Sequence, residues 1–487
     1  MEPVSERRSW TWKVLRDEVS LAEIELNPYV MRLRSKFGTS HSQTVKRTNA
    51  LITMRLRLEG GVATGVAEVG LPPKKAGIYE SDFEDVVRVA AKFAWFVALD
   101  QVAVDGRPAS LVCLENGEAK DRRSVKNASN STAEDPFASL DECFFSEMRI
   151  PSAFNSTFQR LLRSLDRCLV DEGTVAIPSC AGIEVALLDC WSRIKGVPLH
   201  RTICPLADSQ QRVSFYTVAM NKDRREMVAS AMFGLQHTPF LKIKLGPCLH
   251  SNIQVLKTLY EEMEARGHRV ANRSWSIDAN ACLDPEKALL LLEMMPAHVL
   301  LALFMIEQPF PHDLTRGQRK AGSSSDLDGD LARWARVKGE WERRGVLVFA
   351  DESVRFAEDI PPLVSVCSGV NLKLEKAGGI RGLIRAAQCA RLCGLRVWIG
   401  CMVGSSLNST ISAHVLFLSD TACDLDGALL VQSDGERFRG GFRWSVQRDP
   451  AEEHIPPDTM APPLRGAYGY VRLSRASGIG MVPLFPD

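Results

Sequence analysis

From about residue 211 onward the hydrophobic and polar positions fall into a steady rhythm. Short apolar runs recur at 213–220 (VSFYTVAM), 240–246 (FLKIKLG), 274–280 (SWSIDAN), 301–309 (LALFMIEQP), 345–353 (GVLVFADES), 369–376 (GVNLKLEK) and 395–402 (LRVWIGCM). A weaker eighth follows at 424–431 (DLDGALLV). The gaps carry helical periods; in 251–267, Ile253, Leu256, Tyr260 and Met263 share one face. Eight strand-like runs alternating with helices predict an α/β fold, a TIM-like (β/α) barrel. A doubly wound sheet is the competing reading, but no Gly-rich phosphate loop follows the first strand.

Upstream the pattern is mixed. Residues 51–69 alternate around Gly60-Gly61, which predicts a hairpin. Helical periods follow at 82–99, 156–170 and 178–195. The polar stretch 115–147, rich in Ser, Asn and acids, reads as a surface insertion, and so does 311–340 around QRKAGSSSDLDGD. After 432 the rhythm stops in a Pro- and Gly-containing tail.

Composition adds mostly exclusions. Sixty basic residues stand against fifty-nine acidic ones in 487, a net charge of +1, so no charge excess draws the chain to nucleic acid or an anionic membrane. No eighteen apolar residues run together and the first twenty lack a signal-peptide core. Thirteen cysteines without C-x-x-C pairs suit free thiols in a reducing compartment. A cytoplasmic protein with no nucleic-acid or membrane partner is expected.

The chemistry lies in charges embedded in the apolar runs. Lys242 and Lys244, two apart, point to one face of the second strand. Asp278, Glu307 and Asp351 stand near the carboxyl ends of strands three to five, and Lys373 on the sixth. The carboxyl ends of barrel strands form the active face. Three lysines against three carboxylates could be structural ion pairs. Six charges at one end of consecutive strands cost several kcal/mol per ion, however, unless a metal or substrate compensates. Strands two and six of eight are opposite, so Lys244 and Lys373 face each other, with the carboxylates on one arc between them. All-oxygen ligands suit a hard cation, Mg²⁺ first. One metal between two opposed amines can take a proton from one face of a carbon and return it to the other. The carbon would lie α to a carboxylate, with Mg²⁺ acting as Lewis acid toward the ene-diolate.

KIKLG, SIDAN, IEQP, ADES, NLKLEKAGG and GCMVGSS, in this order, resemble the muconate-lactonizing branch of the enolase superfamily, and CAGIEVALLDCWSRIKGVPLHRTI resembles the helix that precedes its barrel. The resemblance spans about residues 20–435 apart from the insertions. It implies a capping α+β domain over 20–205, a (β/α)7β barrel over 206–432, and a tail over 433–487 that packs back on the cap. It also implies Lys244 and Lys373 as the acid/base pair and Asp278, Glu307 and Asp351 as ligands of one Mg²⁺ per subunit.

Asp424 and Asp426, two apart on the eighth strand, bear on the substrate. They face the far end of a molecule whose carboxylate is on the metal, where a cation is welcome. A dipeptide has that layout, and D-x-D with GCMVGSS is most similar to the dipeptide epimerases. The resemblance therefore implies an isomerase that inverts the C-terminal residue of a dipeptide. Lys242, Asp424, Asp426, Cys401 and Met402 would bind the substrate, with Cys401 as a packed thiol rather than a nucleophile. Asn280 and Gln308 are read as supporting groups, Glu352 as either a lysine's partner or a loop charge, and Lys376 as a surface or structural lysine. Gly404 stands where many relatives carry Glu. The cap loop 34–47, with Arg34, Lys36, His41, Lys46 and Arg47, either favours an acidic side chain or is solvated. Two alternatives stand beside this reading: a cycloisomerase or acid-sugar dehydratase on the same barrel, and a non-catalytic interaction protein docking through its insertions. A homo-oligomer is left open.

Overall fold

The computed structural model describes residues 8–16, 19–38, 43–58, 61–105, 107–125, 156–207, 212–315, 327–432, 437–445 and 470–484. His41, most of the first polar stretch, 316–326 and 446–469 lie outside these. The N-terminal part is an antiparallel sheet of six strands: β1 (Trp10–Arg16), β2 (Val19–Gly38), β3 (Gln43–Leu58), β4 (Gly61–Val69), β5 (Ala109–Glu115) and β6 (Glu118–Val125), in the order β4-β3-β2-β1-β5-β6. β3 and β4 pair antiparallel, with Leu58 opposite Gly61. Alternation buries Ile24, Leu26, Ile52 and Met54, against which Val86, Val89 and Phe93 of the helix Phe83–Asp105 pack.

Two features differ from the sequence reading. The sheet takes in Trp10–Arg16, ahead of residue 20, because Trp12 and Val14 fill the space between β2 and β5. The polar stretch from 115 opens into β6, whose residues 118–124 are exposed along the sheet edge. An edge strand with polar residues on both faces carries no apolar alternation to detect, and its charges discourage further pairing.

The helix Ile177–Ile194 lies between the N-terminal sheet and the barrel and is buried along most of its length. That explains why it is apolar all round. By length and composition the run Phe158–Ile194 would reach across a bilayer, but 78% of its most apolar window is buried inside the protein.

Eight parallel strands follow in sequence order. After a short β7 (Arg212–Val213) come β8 (Tyr216–Val218), β9 (Leu241–Lys244), β10 (Trp275–Asp278), β11 (Leu303–Glu307), β12 (Leu347–Ala350), β13 (Gly369–Leu372), β14 (Arg396–Gly400) and β15 (Cys423–Asp424). Ser214 bridges Cys423, and Phe215 N donates to Cys423 O at 2.8 Å, which brings the first and last strands together. The eighth strand is only two residues long, and Gly427–Leu430 is a 3-10 turn rather than strand. Below the mouth the barrel is filled by Phe215, Phe240, Phe304, Phe349 and Trp398, with the Phe215 and Trp398 ring centroids 5.0 Å apart. The described end of the expected second insertion belongs to a helix, Leu327–Arg343, that buries Trp334, Val337 and Trp341. The C-terminal segment returns to the pre-barrel helix, where Ile479 N donates to Asp189 Oδ1 at 2.8 Å.

Candidate active site

Strand register assembles the mouth. Lys244, Asp278 and Glu307 are direct cross-strand partners on β9, β10 and β11. Period-two alternation puts Lys242 on the same face as Lys244. Asp351 and Lys373 follow the last residues of β12 and β13, and Asp426 lies two residues past Asp424 at the end of β15. Lys242, Lys244, Asp351, Lys373, Cys401, Met402, Asp424 and Asp426 line one cavity of about 220 Å³, roofed by Phe37, Arg47, Lys75 and Tyr79 from the cap. Asp278 and Glu307 are not in its wall; they sit buried beside it.

Each expected ligand is engaged by a neighbour. Lys244 Nζ donates to Asp278 Oδ2 at 2.6 Å and to Asn280 Oδ1 at 3.2 Å. Lys373 Nζ donates to Asp351 Oδ2 at 2.8 Å. Asn371 Nδ2 donates to Glu307 Oε1 at 2.8 Å. Lys242 donates to Asp424 and lies 3.1 Å from Glu307 Oε2, off the hydrogen-bonding line. Trp398 Nε1, the polar tip of the aromatic filling, donates to Asp424 Oδ1 at 2.7 Å. Asp426 accepts from Thr217 N. Gly400 has to be glycine here: a Cβ would lie 2.6 Å from Asp424 Oδ1 and 2.9 Å from Lys373 Cε.

Burial alone would lower the pKa of Lys242, but Asp424 and Glu307 outweigh it and hold it well above the usual lysine range. Lys373 is likewise held up, by Asp351 against the cost of burial. Burial, then neighbouring carboxylates, pushes Glu307 up to about 8, and burial with Asp424 pushes Asp426 up to about 6. Cys401 is pushed well above the ordinary thiol range by burial, which suits an unreactive packed thiol.

The residues fit a hard divalent cation in charge and donor type. Six buried carboxyl groups, of Asp278, Glu307, Asp351, Glu352, Asp424 and Asp426, stand against five buried cations, Lys242, Lys244, Lys373, Lys376 and Arg47. Glu307 Oε2 and Glu352 Oε2 are buried without a hydrogen-bond partner, and the donors are all oxygen. Among the described residues the expected ligands do not converge on one point; Lys244 pairs with Asp278 and Lys373 with Asp351. Ion pairing and metal affinity therefore compete for the same oxygens.

Several residues have other places than their sequence suggested. Lys376 is buried, not at the surface; its ammonium binds the Asp351 carboxylate and donates to Asp351 O at 2.6 Å and Asn371 O at 3.1 Å. A one-turn helix, Leu374–Ala377, swings it inward. Glu352, in the loop after β12, is buried rather than exposed and accepts from Asn280 Nδ2 at 3.0 Å. Gln308, at φ 39°, accepts from Asp351 N at 2.7 Å and Ser353 N at 3.2 Å, so it fixes the loop carrying Asp351. Glu68 of β4 was not foreseen. It binds Ser405 N at 3.1 Å and Asn49 Nδ2 at 2.6 Å, where a Cβ on Gly404 would meet its Oε1 at 2.7 Å. Of the cap-loop cations, Arg34 donates to Leu429 O and Val431 O, Lys36 and Lys46 are exposed, and Arg47 is buried in the cavity roof.

Similarity to known proteins agrees with this architecture. The family model described as enolase C-terminal domain-like matches residues 226–484. An enolase superfamily member from Dictyostelium discoideum is 32% identical over 85% of this chain and 90% of its own. An L-Ala-D/L-amino acid epimerase from Pedosphaera parvula is 29% identical over 52% of this chain; the match spans 64% of that relative's length. Among solved structures, the dipeptide epimerase from Cytophaga hutchinsonii, complexed with Mg and dipeptide D-Ala-L-Val, superposes with a TM-score of 0.62 at 16% identity, covering 95% of each chain. The family model covers more than half of the chain and the Dictyostelium relative most of it, so the protein belongs to the enolase superfamily.

Proposed function

We propose that the protein is a Mg²⁺-dependent epimerase that inverts the C-terminal residue of a dipeptide by moving one α-proton between two lysines. The observation that carries this reading is that Lys244 and Lys373, from the second and sixth strands of an eight-stranded barrel, reach the same cavity. Two amines on opposite sides of one carbon are what inversion at that carbon requires. Asp278, Glu307 and Asp351 would hold the metal ion, which supplies Lewis-acid stabilisation of negative charge on the substrate's carboxylate.

This chain's own groups do the rest. Asp278 and Asn280 aim Lys244, and Asp351 aims Lys373. Lys244, when neutral, takes the α-proton from one face while protonated Lys373 delivers one to the other; the reverse reaction exchanges the roles. Lys242 and Trp398 already occupy Asp424, so Asp426 is the carboxylate with lone pairs left for the substrate's ammonium. Met402 and Cys401 supply apolar wall, and Phe37 and Tyr79 of the cap roof the cavity. The activity named for the Pedosphaera relative and the ligands of the Cytophaga enzyme support the same reading.

The test is to incubate the protein and Mg²⁺ with a dipeptide library in D₂O and follow mass and chirality. Deuterium at the C-terminal α-carbon with inversion is expected. If no dipeptide gains deuterium, the reading is wrong.

A further inference from the structure

The roof of the cavity holds a hydroxyl that the fold does not use. Tyr79 stands in the loop between β4 and the helix Phe83–Asp105, is half-buried, and lines the cavity from the cap side. Its backbone is pinned: Tyr79 N donates to Lys75 O at 2.8 Å and Lys75 N to Tyr79 O at 2.6 Å, and neighbouring Ile78 is buried. Glu80 bonds Thr174 of the cap and pairs at 3.6 Å with Arg355, in the loop that also carries Asp351. Tyr79 is thus tied to cap and barrel alike, and its place is set before any ligand arrives. Among the described residues nothing hydrogen-bonds its hydroxyl, and the oxygen is not sealed from the cavity. Burial pushes the phenol well above its ordinary pKa, against the pull of Lys373, so it stays protonated and can donate.

Its surroundings say what it can serve. The charges that bear on the hydroxyl include those of Lys373, Asp351, Glu352 and Asp278, on the side of the mouth to which the substrate's α-carboxylate is assigned. In inversion the α-proton leaves for a lysine, and the C–H electron pair moves into that carboxylate, whose two oxygens share the added negative charge. A hydrogen bond to one of them strengthens as the charge arrives, which lowers the barrier without tightening substrate binding. We propose that Tyr79 is a third catalytic residue, whose hydroxyl donates to an α-carboxylate oxygen and stabilises the ene-diolate. Its proton stays on the phenol throughout. When the opposite lysine returns a proton to the carbon, the electron pair goes back into the C–H bond and the hydrogen bond relaxes, so both directions are served alike. This rests on the epimerase reading above.

Tyr79→Phe removes the hydroxyl and keeps the ring. The full chain and this variant, with Mg²⁺ in D₂O, are given the library dipeptide that the wild type exchanges fastest. The variant's kcat should fall about 100-fold, the scale for losing one oxyanion donor, with KM within about threefold. Calorimetry compares D-Ala-L-Val, a ligand of the Cytophaga enzyme, with the same dipeptide carrying a C-terminal hydroxamate. The hydroxamate anion spreads its charge over two coplanar oxygens, as the ene-diolate does. It should bind the variant about tenfold more weakly than the wild type, while the dipeptide binds both equally. An unchanged kcat, or a loss confined to KM, would overturn the proposal. If the wild type exchanges no dipeptide, the epimerase reading fails and calorimetry decides. Selective weakening of the hydroxamate then still supports Tyr79 as an oxyanion donor. Equal weakening of the two ligands, no change, or no binding overturns it.

Discussion

Replacing Lys242 with methionine removes the counter-charge of two buried carboxylates while keeping most of the volume. Asp424 is then left with Trp398 Nε1 at 2.7 Å, and Glu307 with Asn371 Nδ2 at 2.8 Å. Deleting one partner of a buried pair costs about 3–5 kcal/mol, because the survivor stays charged or must protonate. Asp424→Asn should cost a comparable amount, since Lys242 keeps only the off-line Glu307 Oε2 at 3.1 Å. If the pair is a unit, the double variant loses less than the sum of the singles, by about 2 kcal/mol. Urea unfolding followed by tryptophan fluorescence at pH 7.5, on the wild type and the three variants, measures this directly. Additivity within about 0.5 kcal/mol, or an unchanged midpoint for Lys242→Met, would refute the bridging role of Lys242.

Three further outcomes are expected. Mg²⁺ at a hundredfold its dissociation constant should stabilise the protein by about 2.7 kcal/mol, read as a rise in Tm that EDTA reverses and Asp351→Asn abolishes; a flat Tm would contradict the ligand set. Gly404→Ala should cost about 1–3 kcal/mol in urea, because its Cβ meets the Glu68 carboxylate at 2.7 Å, and the cost should shrink when Glu68 is also truncated. Burial lowers the His414 pKa to about 3, so the folded state binds fewer protons than the unfolded one from about pH 3 to 6.5, and stability rises with pH across that window. Between pH 7 and 5 this group alone should account for about 2 kcal/mol, measured as the loss of that part of the pH slope in His414→Gln. An unchanged slope would remove His414 as its source.

Charges interrupting apolar strands were the legible part of the site. Alternation puts Lys242 and Lys244 on one face wherever the strand lies, and strand counting places Lys373 across from them. The register adds what counting does not, with Asp278 the direct neighbour of both Lys244 and Glu307. The eighth strand is shorter than its apolar run, because it pairs for two residues before Gly427 begins a 3-10 turn. The helix Leu327–Arg343 falls mostly within a stretch whose polar start reads as a surface insertion, yet it buries Trp334, Val337 and Trp341. Lys376 follows Lys373 by three residues, and a single helical turn decides whether it faces water or Asp351. Glu68 is not legible in the sequence, since its partner Ser405 is 337 residues away and no local pattern encodes the pairing. Arg47 was visible as a charge, but its burial was not.

In the proposed mechanism two lysines serve opposite faces of one α-carbon. Lys244→Ala and Lys373→Ala, each given an L,L-dipeptide and its C-terminal D epimer in Mg²⁺ and D₂O, test it most directly. Each variant should fail to epimerise, and each should still exchange the α-proton of one epimer, a different one for each variant. Retained epimerisation in either variant, or exchange of the same epimer by both, would contradict the assignment.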